Sequence, residues 1–363
     1  MRVPREVERL VKQGEALSAD DAAALERGLE QRPDDVDARV RLLGYHKARS
    51  RERYAAATTE ERLALGRTPL MGGPGSLHDS CAPHALWLAA NAPRAPAAAH
   101  PLVHFPMTEP VYAELSAIWR GHAAADPPDA TLLAHAIAFF WTANEIFADE
   151  LLARAEQLLP GDQRWRAFRG NRRALELCMG PLPPLRDGQY AQGGDDDAGD
   201  RAQGERNLDE MEQLLRDDDV DPELAAKLRD VAGTLAFELG RVDHARAHAE
   251  RMLVSNVGEP KRERSDDAHT GHLLLGRIAL HDNDVERAKA HLILAGRAGA
   301  TGLVQVFGPD MRLAHALLVR DERDVVIRYL TLCRAFWERA PVDEWIAQIR
   351  AGKRPGFGRN LKP

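Results

Sequence analysis

The sequence contains few cysteines. Three occur in 363 residues, Cys81, Cys178 and Cys333, and they form no Cys-x-x-Cys pair. An odd number leaves one thiol unpaired in any disulfide scheme, which excludes a disulfide-stapled scaffold and fits a reducing compartment. The first nine residues carry charges where a signal peptide has its apolar centre. We therefore expect a cytoplasmic protein.

Aromatic residues are also few, and the sequence has neither a long apolar run nor a strong net charge. Aromatics make up 6% of the chain and the formal net charge is -7. A composition rich in Ala, Leu and Arg favours helices and argues against an all-β fold. No apolar run approaches the roughly 18 residues of a membrane span. We expect neither a membrane nor a nucleic-acid partner, because the chain as a whole has no cationic footprint.

Signatures of catalysis are absent as well. The segment 72–76 resembles a phosphate loop only in its glycines, since it lacks the Lys-Ser/Thr ending. Cys81 precedes Pro83 and His84 and could lie at a helix start, where the helix dipole lowers a thiol pKa, but a small packing residue is the favoured interpretation. We predict no catalytic residue and no cofactor.

Histidines are plentiful, with 14 in the chain. His244 and His248 lie four apart, so both would face one side of a helix, but Arg246 between them opposes a cation. A second cluster follows in a later segment: His269, His272, His281 and His291. Chance clustering is expected at this abundance. We predict no metal site and keep a metalloprotein or an enzyme using this His-rich hairpin as an alternative.

A repeated pattern of small and apolar residues runs through the sequence. Its clearest unit has the positions Leu275, Gly276, Ala279, Ala288, Leu292 and Ala295. In this unit Gly276 would let two helices approach, Asn283 and Asp284 would end the first helix and cap the second, and Ala288 would keep the interior narrow. The pattern predicts a helical hairpin.

The same spacing recurs at several places. An upstream unit has Gly233, Ala236, Gly240, Ala245, Ala249 and Met252, and another has Ala136, Phe139, Ala143, Ala148, Leu152, Ala155 and Pro160. Two more degenerate units contain Ala314, Leu317, Val326, Leu330 and Cys333, and Leu25, Leu29 and Pro33 followed by residues 38–45.

These positions resemble the tetratricopeptide repeat in a divergent form. The resemblance implies an all-α fold in which antiparallel helical hairpins stack into an α-solenoid, here with irregular inserts. It covers about two thirds of the chain. It implies a shape that holds partners and says little about which partner.

Inserts divide the predicted array. We expect an N-terminal repeat block over 1–180 with a Pro/Gly-rich excursion at about 66–110. An acidic flexible insert over 181–205 follows, then a C-terminal repeat block over 206–350 and a basic extended tail over 351–363. The excursion contains a short helix candidate from Cys81, which Pro93 closes.

The favoured function is a scaffold or adaptor that binds a protein or peptide in a concave groove. Side chains from the first helix of each hairpin would line it: Arg229, Thr234, His269, His272 and Arg277. The acidic insert or the basic tail could bind the partner or the chain's own groove. A structural or self-assembling protein remains an alternative, and the oligomeric state is open.

Overall fold

The structure is a computed structural model that describes residues 4–56, 77–105, 107, 109–180, 195–216, 220–254, 265–300, 304, 308–337 and 341–361. These residues form sixteen α-helices, three short 3-10 helices and no strand. The prediction of an all-α protein is confirmed. None of the helices in this part of the chain is long and apolar enough to cross a membrane.

The chain divides into two compact units, Met1–Arg169 and Gly170–Pro363. The division falls inside α8 (Gln163–Met179), ahead of the acidic insert at which the sequence suggests a boundary. The reason lies in the second half of this helix, because Ala174 and Leu177 belong to a core of the second unit.

The described residues of the first unit form seven complete helices and the start of the eighth. They are α1 (Arg5–Glu15), α2 (Ala19–Gln31), α3 (Val36–Ala56), α4 (Leu77–Asn91), α5 (Pro110–Ala123), α6 (Ala130–Trp141) and α7 (Glu145–Leu158). Two 3-10 turns, Pro96–Ala99 and Pro101–Val103, join α4 to α5. Within the predicted excursion, the helix beginning before Cys81 ends ahead of Pro93, as expected.

In the second unit, the residues that the structure describes form eight helices after α8. They are α9 (Asp195–Arg216), α10 (Pro222–Glu238), α11 (Val242–Val254), α12 (Ser265–His281), α13 (Val285–Ala298), α14 (Arg312–Val319), α15 (Arg323–Cys333) and α16 (Val342–Arg350). A final 3-10 turn covers Gly358–Leu361. The predicted repeat units coincide with the helix pairs α6–α7, α10–α11, α12–α13 and α14–α15.

The hairpin α12–α13 illustrates how the local sequence encodes its structure. Asn283 adopts a left-handed conformation with φ 61° and ends the first helix. The Asp284 side chain accepts a hydrogen bond from the backbone N–H of Arg287 and caps the second helix. A methyl group at Gly276 would touch the Ala288 carbonyl oxygen and the Leu313 side chain. The predicted roles of Gly276, Asn283 and Asp284 are therefore confirmed.

In the first unit, a closer helix contact joins α1 to α3. A Cβ atom at Gly14 would overlap the backbone of Arg41, and a Cβ atom at Gly44 would overlap the backbone of Val11. The two glycines, one on each helix, thus allow the backbones of α1 and α3 to lie in direct contact. Val11 is buried beneath this crossing, at 2% exposure.

Part of the predicted flexible insert is helical. Residues 181–194 lie outside the described residues, but 195–205 form the first half of α9. Tertiary contacts explain the difference: Gly204 is buried, and the Arg201 guanidinium donates to the Leu239 carbonyl oxygen at 2.9 Å. Packing of this kind overrides a polar composition.

The predicted basic tail is docked on its own unit. Phe357 is 1% exposed and packs edge-to-face on Trp345, with ring centroids 5.1 Å apart. The Met311 N–H donates to the Asn360 carbonyl oxygen at 2.8 Å. Its cations Lys353 and Arg354 stay exposed. The tail therefore packs against the second unit through Phe357.

Candidate functional site

The five predicted groove residues lie on two neighbouring helices of the second unit. Arg229 and Thr234 lie on α10, and His269, His272 and Arg277 lie on α12. Helix α10 contacts α12, and α12 contacts α14, although α11 and α13 intervene in sequence. The first helices of three successive hairpins are thus adjacent. That these residues line a groove stays a prediction.

A row of ion pairs connects these three first helices. The Glu238 carboxylate on α10 accepts hydrogen bonds from Arg277 on α12 and, at 3.0 Å, from Nη1 of Arg312 on α14. Arg312 Nη2 lies 2.6 Å from Asp310 Oδ2. The Glu238 side chain is 1% exposed and that of Arg277 is 9% exposed. The Arg277 guanidinium also lies over the Phe237 ring, 4.5 Å from its centroid.

This row fixes side-chain positions more than it adds stability. Removing two charges from water costs several kcal/mol per ion, which their attraction only partly repays. A carboxylate shared by two guanidinium groups couples three hairpins in one geometry. The arrangement therefore fixes the positions of the three first helices relative to one another.

Asp230 lies on α10 two turns before Glu238. Burial and the nearby carboxylates of Asp310 and Asp267 raise the pKa of Asp230 to about 7. The positive charge of Arg312 lowers the pKa of Asp230, but by less than burial and the two carboxylates raise it. At neutral pH this carboxyl group is therefore poised between its neutral and charged forms, and an added cation would favour the charged form.

Arg229, the neighbour of Asp230, is only partly satisfied. Its Nε atom is buried and has no hydrogen-bond partner within the described part of the chain. Burial, with a contribution from Arg251, lowers the pKa of the Arg229 guanidinium. A buried donor without an acceptor is costly.

The predicted groove histidines face other parts of the unit. His269 is 1% exposed, with Nδ1 3.2 Å from the Gly299 carbonyl oxygen and Nε2 3.2 Å from the Tyr329 hydroxyl. Burial lowers its pKa to about 4. His272 is half-buried and its Nδ1 lies 3.2 Å from Nδ1 of His291. His269 thus offers little surface to a partner in this conformation.

The i, i+4 histidine pair on α11 has an acidic partner. His244 Nδ1 lies 2.6 Å and His248 Nε2 lies 3.4 Å from Glu212 Oε1 on α9. A different group has the spacing of metal ligands. Among the described residues, Glu26, His46 and His84 each offer one ligand atom, and these three atoms lie within 4.8 Å of one another. No sequence motif indicates this group, because its residues lie on three different helices.

The thiols are packing residues. Cys81 is 1% exposed and burial raises its pKa to about 12. Burial likewise raises the pKa of Cys333 to about 12 and that of Cys178 to about 11. Thiols held in the protonated form are poor nucleophiles. The favoured interpretation of Cys81 is supported.

The candidate phosphate-loop segment 72–76 lies outside the described residues. Within the described part, sequence reasoning missed Asp230, Glu238, Asp310 and Arg312. No local signal connects Glu238 with Arg277, because the two residues are 39 positions apart. Compared with protein-family models, with curated proteins and with solved structures, the chain matches none.

Proposed function

We propose that the second unit is a peptide-binding module of divergent tetratricopeptide type, an α-solenoid whose first helices form the binding face. The observation that carries the proposal is the ion-pair row that joins Glu238, Arg277 and Arg312 across three successive hairpins.

The order of helix contacts supports this arrangement. First helices contact first helices, in the pairs α10–α12 and α12–α14, while the second helices α13 and α15 contact each other. Hairpins stacked in this way separate the two kinds of helix onto two sides of an array. The first helices then present one continuous face to an extended peptide or to a partner's helix.

The charges on that face suggest the chemistry of the partner. Burial and, after it, the nearby carboxylates of Asp310 and Asp267 raise the pKa of Asp230. A lysine or arginine of the partner would favour the charged form of Asp230 and pair with it. The module therefore binds a segment with at least one basic side chain.

A displayed library of random peptides tests the proposal with the full chain as bait. The wild-type protein should enrich peptides that share a basic residue. Asp230→Lys should abolish the enrichment, because it replaces the carboxylate that receives the basic side chain. Asp243→Lys is the matched control, since it makes the same charge change at an exposed position of α11.

Two results would contradict the proposal. Either no peptide family is enriched over beads without protein, or Asp230→Lys retains the same peptides as Asp243→Lys. Circular dichroism of both variants should show unchanged helix content, which separates a lost site from a lost fold.

A further inference from the structure

A cluster of two imidazoles and a carboxylate lies in the first unit, whereas the proposed binding face belongs to the second. His84 of α4 places Nε2 3.1 Å from Oε1 of Glu26 on α2. His46 of α3 places its Nε2 3.8 Å from the same oxygen. The two imidazole rings are stacked at 22°, with centroids 6.0 Å apart. Three helices thus direct one potential ligand atom each to a common point.

The distances in the cluster fit a divalent metal ion. Bonds of about 2.0 Å in tetrahedral geometry place neighbouring ligand atoms about 3.3 Å apart. The two distances to Glu26 fall on either side of this value, and all three ligand atoms lie within 4.8 Å of one another. Small side-chain rotations would therefore complete the coordination without moving a helix.

The exposure of the three side chains also suits a metal site. The His84 side chain is 4% exposed, that of His46 is 21% exposed and that of Glu26 is 47% exposed. The cluster is anchored in the interior and opens to solvent on the Glu26 side. An ion could enter there, and a water molecule could fill the fourth position.

Among the described residues, one ring nitrogen of His84 makes no other hydrogen bond that would compete with metal binding. Nδ1 of His84 is buried without a hydrogen-bond partner in the described structure. It can therefore receive the proton that Nε2 gives up on ligation, since no other hydrogen bond fixes the tautomer.

One neighbouring cation opposes binding and is itself held in place. Arg39 donates through Nη2 to the Pro33 carbonyl oxygen at 2.8 Å, and its guanidinium lies 4.0 Å from the Trp87 ring centroid. Its charge adds to the lowering of the His84 pKa. The Glu26 carboxylate offsets that charge in part, and it supplies the anionic ligand of the set.

We propose that Glu26, His46 and His84 form a binding site for one zinc ion, with an open fourth position toward solvent. Two imidazoles and a carboxylate are a ligand set that suits Zn²⁺, whereas Mg²⁺ and Ca²⁺ prefer sites made of oxygen atoms.

Calorimetric titration with zinc chloride tests the site, using the full chain without a histidine tag and after removal of metal by a chelator. The wild-type protein should bind one equivalent. Cobalt should replace zinc and give the visible absorption of a tetrahedral site. Magnesium chloride should give no saturable binding.

Two variants test the proposed ligands, and a third serves as the control. His46→Ala and Glu26→Gln change partly exposed side chains, and each should weaken zinc binding about tenfold or more. The double variant His244→Ala/His248→Ala is the matched control, because it removes two histidines next to a carboxylate in the second unit. It should bind zinc like the wild type.

The proposal is overturned if the wild-type chain shows no saturable zinc binding. It is also overturned if His46→Ala and Glu26→Gln bind as tightly as the wild type, or if only the His244/His248 double variant loses binding. Helix content measured by circular dichroism shows that each variant is folded. Peptide selection on the second unit is independent of every one of these results.

Discussion

Glu238 and Arg277 form a buried ion pair between two successive hairpins of the second unit. The Glu238 side chain is 1% exposed, and a second guanidinium, that of Arg312, also binds its Oε1 atom. Neither charge has direct access to bulk water, so each depends on the other for its solvation. This dependence makes Glu238 the most sensitive position of the charged row.

Glu238→Ala should lower the free energy of unfolding of the second unit by about 3–5 kcal/mol, because it leaves two guanidinium groups without their shared carboxylate. Urea denaturation followed by circular dichroism measures the change. Glu286→Ala serves as the control. Its side chain is 83% exposed and pairs with Lys289, so the loss should stay within about 0.5 kcal/mol. Equal losses in the two variants would refute the role assigned to Glu238.

Asp230 should make the second unit less stable as the pH rises. Its pKa is about 7 in the folded chain, above the ordinary value of 3.8, so the folded state binds more protons between these values. The stabilisation is fully present below about pH 4 and is lost as the pH rises through about 7.

Asp230→Asn removes this titration. The free energy of unfolding of the variant, relative to the wild type, should therefore increase by at least about 1 kcal/mol between about pH 5 and pH 8. Urea denaturation of both proteins at the two values measures the difference, in which other titrating groups cancel. A difference that is constant with pH would show that the Asp230 carboxyl has an ordinary pKa.

The local features of the hairpins could be predicted from the sequence. The sequence pattern predicts that Ala288 keeps the hairpin interior narrow and places Leu292 and Ala295 in the same repeated spacing, and all three are 0% exposed. Helical periodicity and capping depend on residues three or four positions apart, which a single sequence displays directly.

The contacts that build the sites could not be predicted in the same way. Glu238 and Arg312 are 74 positions apart, and Glu26 and His84 are 58 positions apart. Such pairs depend on how hairpins pack, and many alternative pairs have similar residue types. In the sequence His84 stands out only as a neighbour of Cys81, since nothing local connects it to Glu26.

The glycines of the α1–α3 crossing give a prediction for the first unit. Gly44→Ala should lower the free energy of unfolding by about 2–3 kcal/mol, because the new Cβ atom would overlap the Val11 backbone and force the helices apart. Gly28→Ala on α2 is the control. A Cβ atom there has nothing within 4 Å, so alanine should stabilise the helix by about 0.5–1 kcal/mol. Thermal unfolding of the variants should move in opposite directions.

The docked C-terminal segment bears on the possibility of self-assembly. Phe357 packs on Trp345, and Asn360 bonds to the backbone of Met311 and Pro309. Phe357→Ala should lower the free energy of unfolding of the second unit by about 3–5 kcal/mol, as for other buried phenylalanines. Lys353→Ala, at an exposed position of the same segment, should change it by less than about 0.5 kcal/mol.

A chain that ends at Ala351 would lose the whole segment and uncover the apolar surface beneath Phe357. We expect light scattering to detect association of this truncated chain, with Phe357→Ala associating to a lesser degree. Association that appears only on truncation is a consequence of the uncovered surface and not evidence that the tail drives assembly. A truncated chain that stays monomeric and keeps the unfolding midpoint of the full chain would contradict the docking of Phe357.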